Sequence, residues 1–273
     1  MSTDPSFWQN LVKATTGWDI TPRPSPHIKI RAILTDFNGV ISNKERTMRE
    51  AYAKLQEQKG GTLPDADTAL SYADRPRQFL NDHISDSQKM ALFKEGRALY
   101  DQTPMHLLEG AAQTMQHYDD RSIPWAVVSN NQQTRQRWHE MGLDKTHPNT
   151  PVFDHAKKPG TAAMERALEA LNQPAGNDII MVDDEWKGLT AAAKLGLTPV
   201  YFGQQWDRVR PQVEKALRAE HMPIPTIPIV RNNQELIELI NNGLSLPNEI
   251  SPNPHQQAAT QLTPQAAPVS VSM

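Results

Sequence analysis

Short runs of consecutive apolar residues alternate along the chain with stretches in which apolar residues recur every three or four positions. The first kind fits strands buried on both faces, the second amphipathic helices. Ile28 to Thr35 reads as one strand, interrupted only by Lys29 and Arg31. It runs straight into Asp36-Phe37-Asn38-Gly39, a tight-turn signal. Residues 44 to about 120 read as helical. Met48, Tyr52 and Leu55 share one helix face, and Met90, Phe93, Arg97 and Tyr100 repeat that spacing. Gly60-Gly61 and Pro64 mark a loop between these helices, and Asp74 ahead of Pro76 a helix start.

From about residue 121 strand and helix signals alternate. Trp125 to Val128 is a buried strand, followed by a helix carrying Trp138 and Met141. Pro151-Val152-Phe153 is a very short strand, and Met164, Leu168 and Leu171 mark a helix stopped by Pro174. Ile179 to Val182 is a strand with no polar position. Leu189, Ala192 and Leu195 form a helix ended by Gly196. Pro199 to Phe202 is the next strand. Ile227 to Val230 and a helix with Leu236, Ile237 and Ile240 close the fold. Apolar strands alternating with helices predict an α/β fold: a doubly wound parallel sheet covered on both faces.

The two ends depart from this pattern. In residues 1–27, the spacing of Phe7, Trp8, Leu11 and Val12 predicts one apolar face of a short helix, with Ser6 as its expected cap, and Pro22, Pro24 and Pro26 predict extended chain. Residues 244–273 are rich in Pro, Gln, Ala and Ser, and Glu249 is their one charged residue. That composition predicts a disordered tail. The expected plan is an N-terminal arm (1–27), a core (28–43 and 121–243), a helical insertion (44–120) and the tail. A net charge of −3 gives no basis for a nucleic-acid or membrane partner. With no cysteine, disulfides, thiol catalysis and Cys-ligated zinc are excluded. No apolar run approaches the ~18 residues needed to span a bilayer. The N-terminus carries no secretory pattern, so a cytoplasmic location is expected. The histidines show no metal-ligand spacing, and no GxGxxG, Walker or GxSxG motif occurs.

In a doubly wound sheet ligands bind beyond the carboxyl ends of the strands. Asp36 and Asn38 follow the first strand, and Ser129 and Asn130 the second. Asp154 and Lys157-Lys158-Pro159 follow the third, and Asp183 and Asp184 the fourth. Carboxylates gathered at one rim raise one another's pKa unless a cation joins them. Carboxylate and carbonyl oxygens suit Mg²⁺. A hydroxyl, backbone N–H groups and a lysine suit a phosphate.

These residues carry a resemblance to the haloacid dehalogenase-like (HAD) hydrolase superfamily. Ile33-Leu34-Thr35-Asp36-Phe37-Asn38-Gly39-Val40-Ile41 resembles its nucleophile motif, and Val127-Val128-Ser129-Asn130 its second motif. Lys158-Pro159 before an amphipathic helix resembles the third, and Ile180-Met181-Val182-Asp183-Asp184 the acidic fourth. The resemblance covers roughly residues 28 to 243. It implies a Rossmann-like core, with residues 44–120 in the place of a type-1 helical cap. It further implies Mg²⁺-dependent hydrolysis of a small phosphorylated metabolite through a phospho-aspartate at Asp36. Asp36, Asp184 and the Asn38 backbone carbonyl would ligate Mg²⁺, and Asp183 would be a further ligand or a supporting acceptor. Ser129, with Asn130 beside it, and Lys158 would hold the phosphoryl oxygens.

Two positions depart from the family pattern. Members usually carry Asp where this chain has Asn38, and that Asp exchanges a proton with the leaving group and then with water. An amide holds no transferable proton near neutral pH, so slowed turnover is expected. Gly188 stands where the Asp-Asp branch often has Asn, and reads as a packing detail. Two alternatives stay open: a pseudophosphatase that binds a phosphorylated ligand, or a protein through the arm or tail; and other HAD chemistry, phosphomutase or dehalogenase.

Overall fold

The computed structural model describes residues 27–60 and 86–245, with side chains for 27–60 and 94–244. The arm before His27, the tail beyond Ser245, the Asp74-Pro76 helix start and the 61–85 part of the insertion lie outside the described residues, as do the side chains of Met90 and Phe93. The elements run β1 (His27–Ile28), β2 (Ala32–Thr35), α1 (Lys44–Gln58), α2 (Asp86–Gln102), α3 (Ala111–Asp120) and β3 (Trp125–Val128). They continue with α4 (Thr134–Glu140), α5 (Leu143–Thr146), β4 (Val152–Phe153), α6 (Ala162–Ala170), β5 (Ile179–Asp183) and α7 (Trp186–Lys194). The last are β6 (Thr198–Phe202), α8 (Trp206–Ala219), β7 (Ile229–Val230), α9 (Asn233–Asn242) and β8 (Leu244–Ser245).

Six parallel strands form the sheet in the order β4-β3-β2-β5-β6-β7. The order reverses direction at β2, so β2 has β3 on one side and β5 on the other, with Thr35 opposite Val127 and Val182. The carboxyl ends of β3, β2 and β5 therefore share one rim, the switch point where such sheets bind ligands.

Every residue of β2, β3 and β5 is buried, because alternate residues feed two separate cores. Ile33, Trp125, Val127, Ile180 and Val182 pack with Met115, Tyr118, Trp138, Leu236 and Ile240 on one face. Ala32, Leu34, Ala126, Val128, Ile179 and Met181 pack with Met164, Ala167, Leu168, Ala191 and Ala192 on the other. A period of two with both phases apolar explains the unbroken runs in the sequence. The α/β class and the doubly wound parallel sheet are as the sequence predicts.

Local departures have physical reasons. The single strand expected over 28–35 is divided: Lys29 is exposed, and Arg31 turns to Asp178, Gln173 and the Pro174 carbonyl at 2.5–2.9 Å. Helix α8 has no counterpart in the sequence reading. Its buried stripe is only Val209, Val213 and Leu217, set among charged residues and interrupted by Pro211. Helix α3, read as continuous with the insertion, buries Ala111, Met115 and Tyr118 and packs on α9. Helices α1 and α2 pack on each other.

Candidate active site

The acidic side chains at the rim are delivered by strand ends, and Lys158 by a loop. Asp36 follows β2, and its N–H donates to the Val182 carbonyl at 2.8 Å, which fixes its position against β5. Asp183 is the last residue of β5, and Asp184 follows. Lys158 lies in the loop between β4 and α6. Asn130, after β3, holds that loop: its Oδ1 accepts from the Lys158 N–H at 2.7 Å and its Nδ2 donates to the Lys158 carbonyl at 3.3 Å. The Asn130 side chain therefore positions Lys158 in this structure.

The Lys158 ammonium is the centre of the site. It donates to Asp36 Oδ1 at 2.7 Å and to Asp183 Oδ2 at 2.5 Å, and all three residues are buried. The other Asp183 oxygen accepts the Glu185 N–H at 2.8 Å. Both Asp183 oxygens thus have partners, whereas Asp184 Oδ1 is buried with none. Oxygens of Asp36, Asp183 and Asp184 come within 4.8 Å of one another. Burial, then the neighbouring carboxylates Asp183 and Asp36, raise the Asp184 carboxyl well above the ordinary range. Burial also raises Asp183, with Asp36 adding and Lys158 opposing. Desolvation works against the Lys158 charge, but Asp183 and Asp36 outweigh it and hold the lysine cationic.

Two glycines make room for this cluster. Gly39 has φ +88°, and a Cβ there would stand 2.3 Å from Asp184 Oδ2. At Gly188, in the first turn of α7, a Cβ would stand 1.8 Å from Asp183 Oδ2 and 2.4 Å from its Cγ. The glycine that looked like a packing detail is the space in which the Asp183 carboxylate sits.

Asn38 faces the turn: its Oδ1 accepts from the buried Ser42 hydroxyl at 3.2 Å. Ser129 is buried at the β3 end of the rim, its Oγ accepting the Asn131 N–H at 3.3 Å. Lys157, beside Lys158, is exposed, and Asp154 is half-buried.

Sequence reasoning missed three charged groups: Lys44, its partner Glu185, and Arg137. Lys44, the first residue of α1, donates to Glu185 Oε1 at 3.1 Å. Its charge is held by Asp184, Glu185 and Asp36 against the opposing effect of burial. Its signal in the sequence is a lysine at a helix start, where the helix dipole favours acids. Arg137, buried on α4, donates to the carbonyls of Tyr100 and Thr103 at 3.0 Å and to that of Asp101, which ties down the C-terminal end of α2. A lone arginine in a polar helix gives no such signal.

The haloacid dehalogenase-like hydrolase family model matches residues 30–196, more than half of the chain. The chain belongs to this family of hydrolases. It resembles malformin synthetase mlfA of Aspergillus niger, with 24% identity over 181 residues that make up 63% of this chain and 4% of that protein. The similarity thus covers a small fraction of the relative's length. Among solved structures, a HAD-superfamily hydrolase of subfamily IA from Geobacter sulfurreducens aligns over 80% of this chain and all of its own, with TM-score 0.56 and 16% identity. A HAD family hydrolase from Deinococcus radiodurans, solved with bound phosphate and sodium, aligns over 77% of this chain and 94% of its own, with TM-score 0.55 and 17% identity. These likenesses extend to the fold.

Proposed function

We propose that this HAD hydrolase cleaves a small phosphomonoester through a phospho-aspartate on Asp36. The observation that carries this reading is one buried ammonium bridging Asp36 and Asp183, beside an Asp184 oxygen that has no partner. Lys158 neutralises and orients the Asp36 carboxylate and offers its charge to the incoming phosphoryl oxygens. One Asp36 oxygen attacks phosphorus and the ester oxygen leaves with its electron pair. Water then attacks the same phosphorus, giving up to solvent the proton that the departed alkoxide takes from solvent, and returns Asp36 as a carboxylate, releasing phosphate. Ser129 and Lys158 would receive the phosphoryl oxygens; Asn130 acts through Lys158. The phosphate bound in the Deinococcus radiodurans relative agrees with this ligand class.

The donor set fits Mg²⁺. The oxygens are hard, Asp184 Oδ1 is orphaned, and Asp184 feels Asp183 and Asp36 as like charges while Lys158 pairs with those two instead. Asp184, Asp36 and the Asn38 carbonyl would hold the ion, while Asp183 supports Lys158. When bound, Mg²⁺ supplies charge neutralisation at the phosphoryl group.

Asn38 shapes the expected kinetics. Its amide can hydrogen-bond to the leaving oxygen but cannot give it a proton. General acid–base catalysis is worth about 10²–10⁴-fold. Esters with good leaving groups should therefore turn over best, and the phospho-enzyme should persist. The pseudophosphatase reading draws on the same residue. We read helices α1 and α2 as belonging to a helical cap, of which Lys44 at the start of α1 reaches Glu185.

The test is Mg²⁺-dependent phosphate release from p-nitrophenyl phosphate and acetyl phosphate by the natural chain, Asn38→Asp and Asp36→Asn. Mass spectrometry must show that Asn38, which precedes Gly39, has not deamidated. The expected order is Asn38→Asp fastest, the natural chain slow, and Asp36→Asn inactive. Activity retained by Asp36→Asn would refute the reading. A silent natural chain beside an active Asn38→Asp would move the assignment to the pseudophosphatase.

A further inference from the structure

Lys44 opens α1 with its ammonium 3.1 Å from Glu185, the residue after Asp184. A cation at the first helical position faces the positive end of the helix dipole and gains nothing from it. Nor is it needed as a cap, since Asn43 Oδ1 already accepts the Arg46 N–H at 3.0 Å. Its placement is explained by the contact with the Glu185 carboxylate, to which the charges of Asp184 and Asp36 add attraction. Asp184 is also the residue whose buried oxygen lacks a partner. A divalent ion arriving there would enter the field of a positive charge that the protein itself supplies.

We infer that Lys44 is a built-in competitor of the divalent cation. It balances the acidic rim when no metal is bound and sets the metal affinity by repulsion, with Glu185 as its tether. This rests on the metal reading above and adds to it a residue that tunes the site from the inserted helix.

The inference fixes the sign of two opposite perturbations. Lys44→Met removes a positive charge that faces the acidic rim and should tighten Mg²⁺ binding about fivefold or more at low salt, the order of a unit-on-double-charge repulsion in a watery medium. The gain should shrink as salt screens it. Glu185→Gln removes a negative charge and frees Lys44, so it should weaken binding. Lys44→Arg keeps the charge and should bind like the natural chain.

The experiment is isothermal titration calorimetry of the full chain with Mg²⁺ alone, at low and moderate salt, on these variants and Asp184→Asn. Tighter binding by Lys44→Met, with Lys44→Arg near the natural value, supports the inference. So does saturable binding by Lys44→Met where the natural chain shows none. Binding that is lost in Asp184→Asn but unchanged or weaker in Lys44→Met overturns it and leaves the metal site standing. No binding by any variant overturns both.

Discussion

Replacing Gly188 by alanine separates a local helix preference from the geometry of the site. In an ordinary helix this change stabilises by about 1 kcal/mol, because glycine is the poorer helix former. Here the new Cβ would stand 1.8 Å from Asp183 Oδ2, 2.4 Å from Cγ and 2.9 Å from Cβ. The carboxylate cannot turn aside cheaply. It is 1% exposed, held at one oxygen by Lys158 and at the other by the Glu185 N–H. Displacing it breaks one arm of a buried ion pair, and disrupting such pairs costs about 3–5 kcal/mol. The net expectation is destabilisation by about 2–4 kcal/mol. At about 2–4 °C per kcal/mol for a protein of this size, Tm should fall by roughly 5–15 °C. The assay is thermal and urea denaturation of Gly188→Ala in the natural and Asp183→Ala backgrounds. With the carboxylate gone, Gly188→Ala should be neutral or stabilising by about 1 kcal/mol. Stabilisation in the natural background, or the same effect in both, would refute the reasoning.

Three further outcomes follow from the same cluster. Lys158→Met leaves Asp36 and Asp183 buried without a counter-charge, so urea denaturation should register a loss of about 3–5 kcal/mol, and phosphate release should vanish. Gly39→Ala places a Cβ 2.3 Å from Asp184 Oδ2 at φ +88°; calorimetry should show Mg²⁺ binding lost, with the left-handed backbone costing about 1–2 kcal/mol. The pH dependence has a definite sign. Burial pushes Asp183 up to about 7, and burial with its neighbours also raises Asp184. A carboxyl raised on folding binds its proton more tightly in the folded chain. Its contribution is present below the unfolded value near 4 and is lost as pH climbs through the folded one. Metal-free Tm should therefore fall between about pH 4 and 7, and added Mg²⁺ should restore more of it at the upper end; a metal-free Tm that rises across this window would contradict the electrostatics.

Much of the core was legible because both faces of its central strands are covered. Ile33, Val127, Ile180 and Val182 serve one core, and Leu34, Ala126, Val128 and Met181 the other, so apolar runs mark the strands directly. The acidic and lysine positions could be read because chemistry in such a sheet gathers at strand ends. The strand order was not legible, since it depends on pairing between segments far apart in sequence. Helix α8 escaped because three buried residues among charges are too sparse a stripe, and Pro211 looks like a break. Lys44, Glu185 and Arg137 escaped for another reason. A charged residue on a polar stretch looks solvated until tertiary structure brings a carboxylate or a helix end against it. Gly188 shows the same limit, because its meaning lies in the side chain that occupies the space it leaves.

The most direct test of the central claim is to look for the phospho-aspartate itself. The full chain would be incubated with Mg²⁺ and acetyl phosphate, quenched with borohydride, digested and mapped by mass spectrometry. An acyl phosphate on Asp36 is reduced to homoserine at that position. The account predicts homoserine at residue 36 in the natural chain, accumulating more than in Asn38→Asp because Asn38 cannot activate water, and none in Asp36→Asn. Turnover without any adduct at residue 36, or an adduct that survives Asp36→Asn, would contradict it.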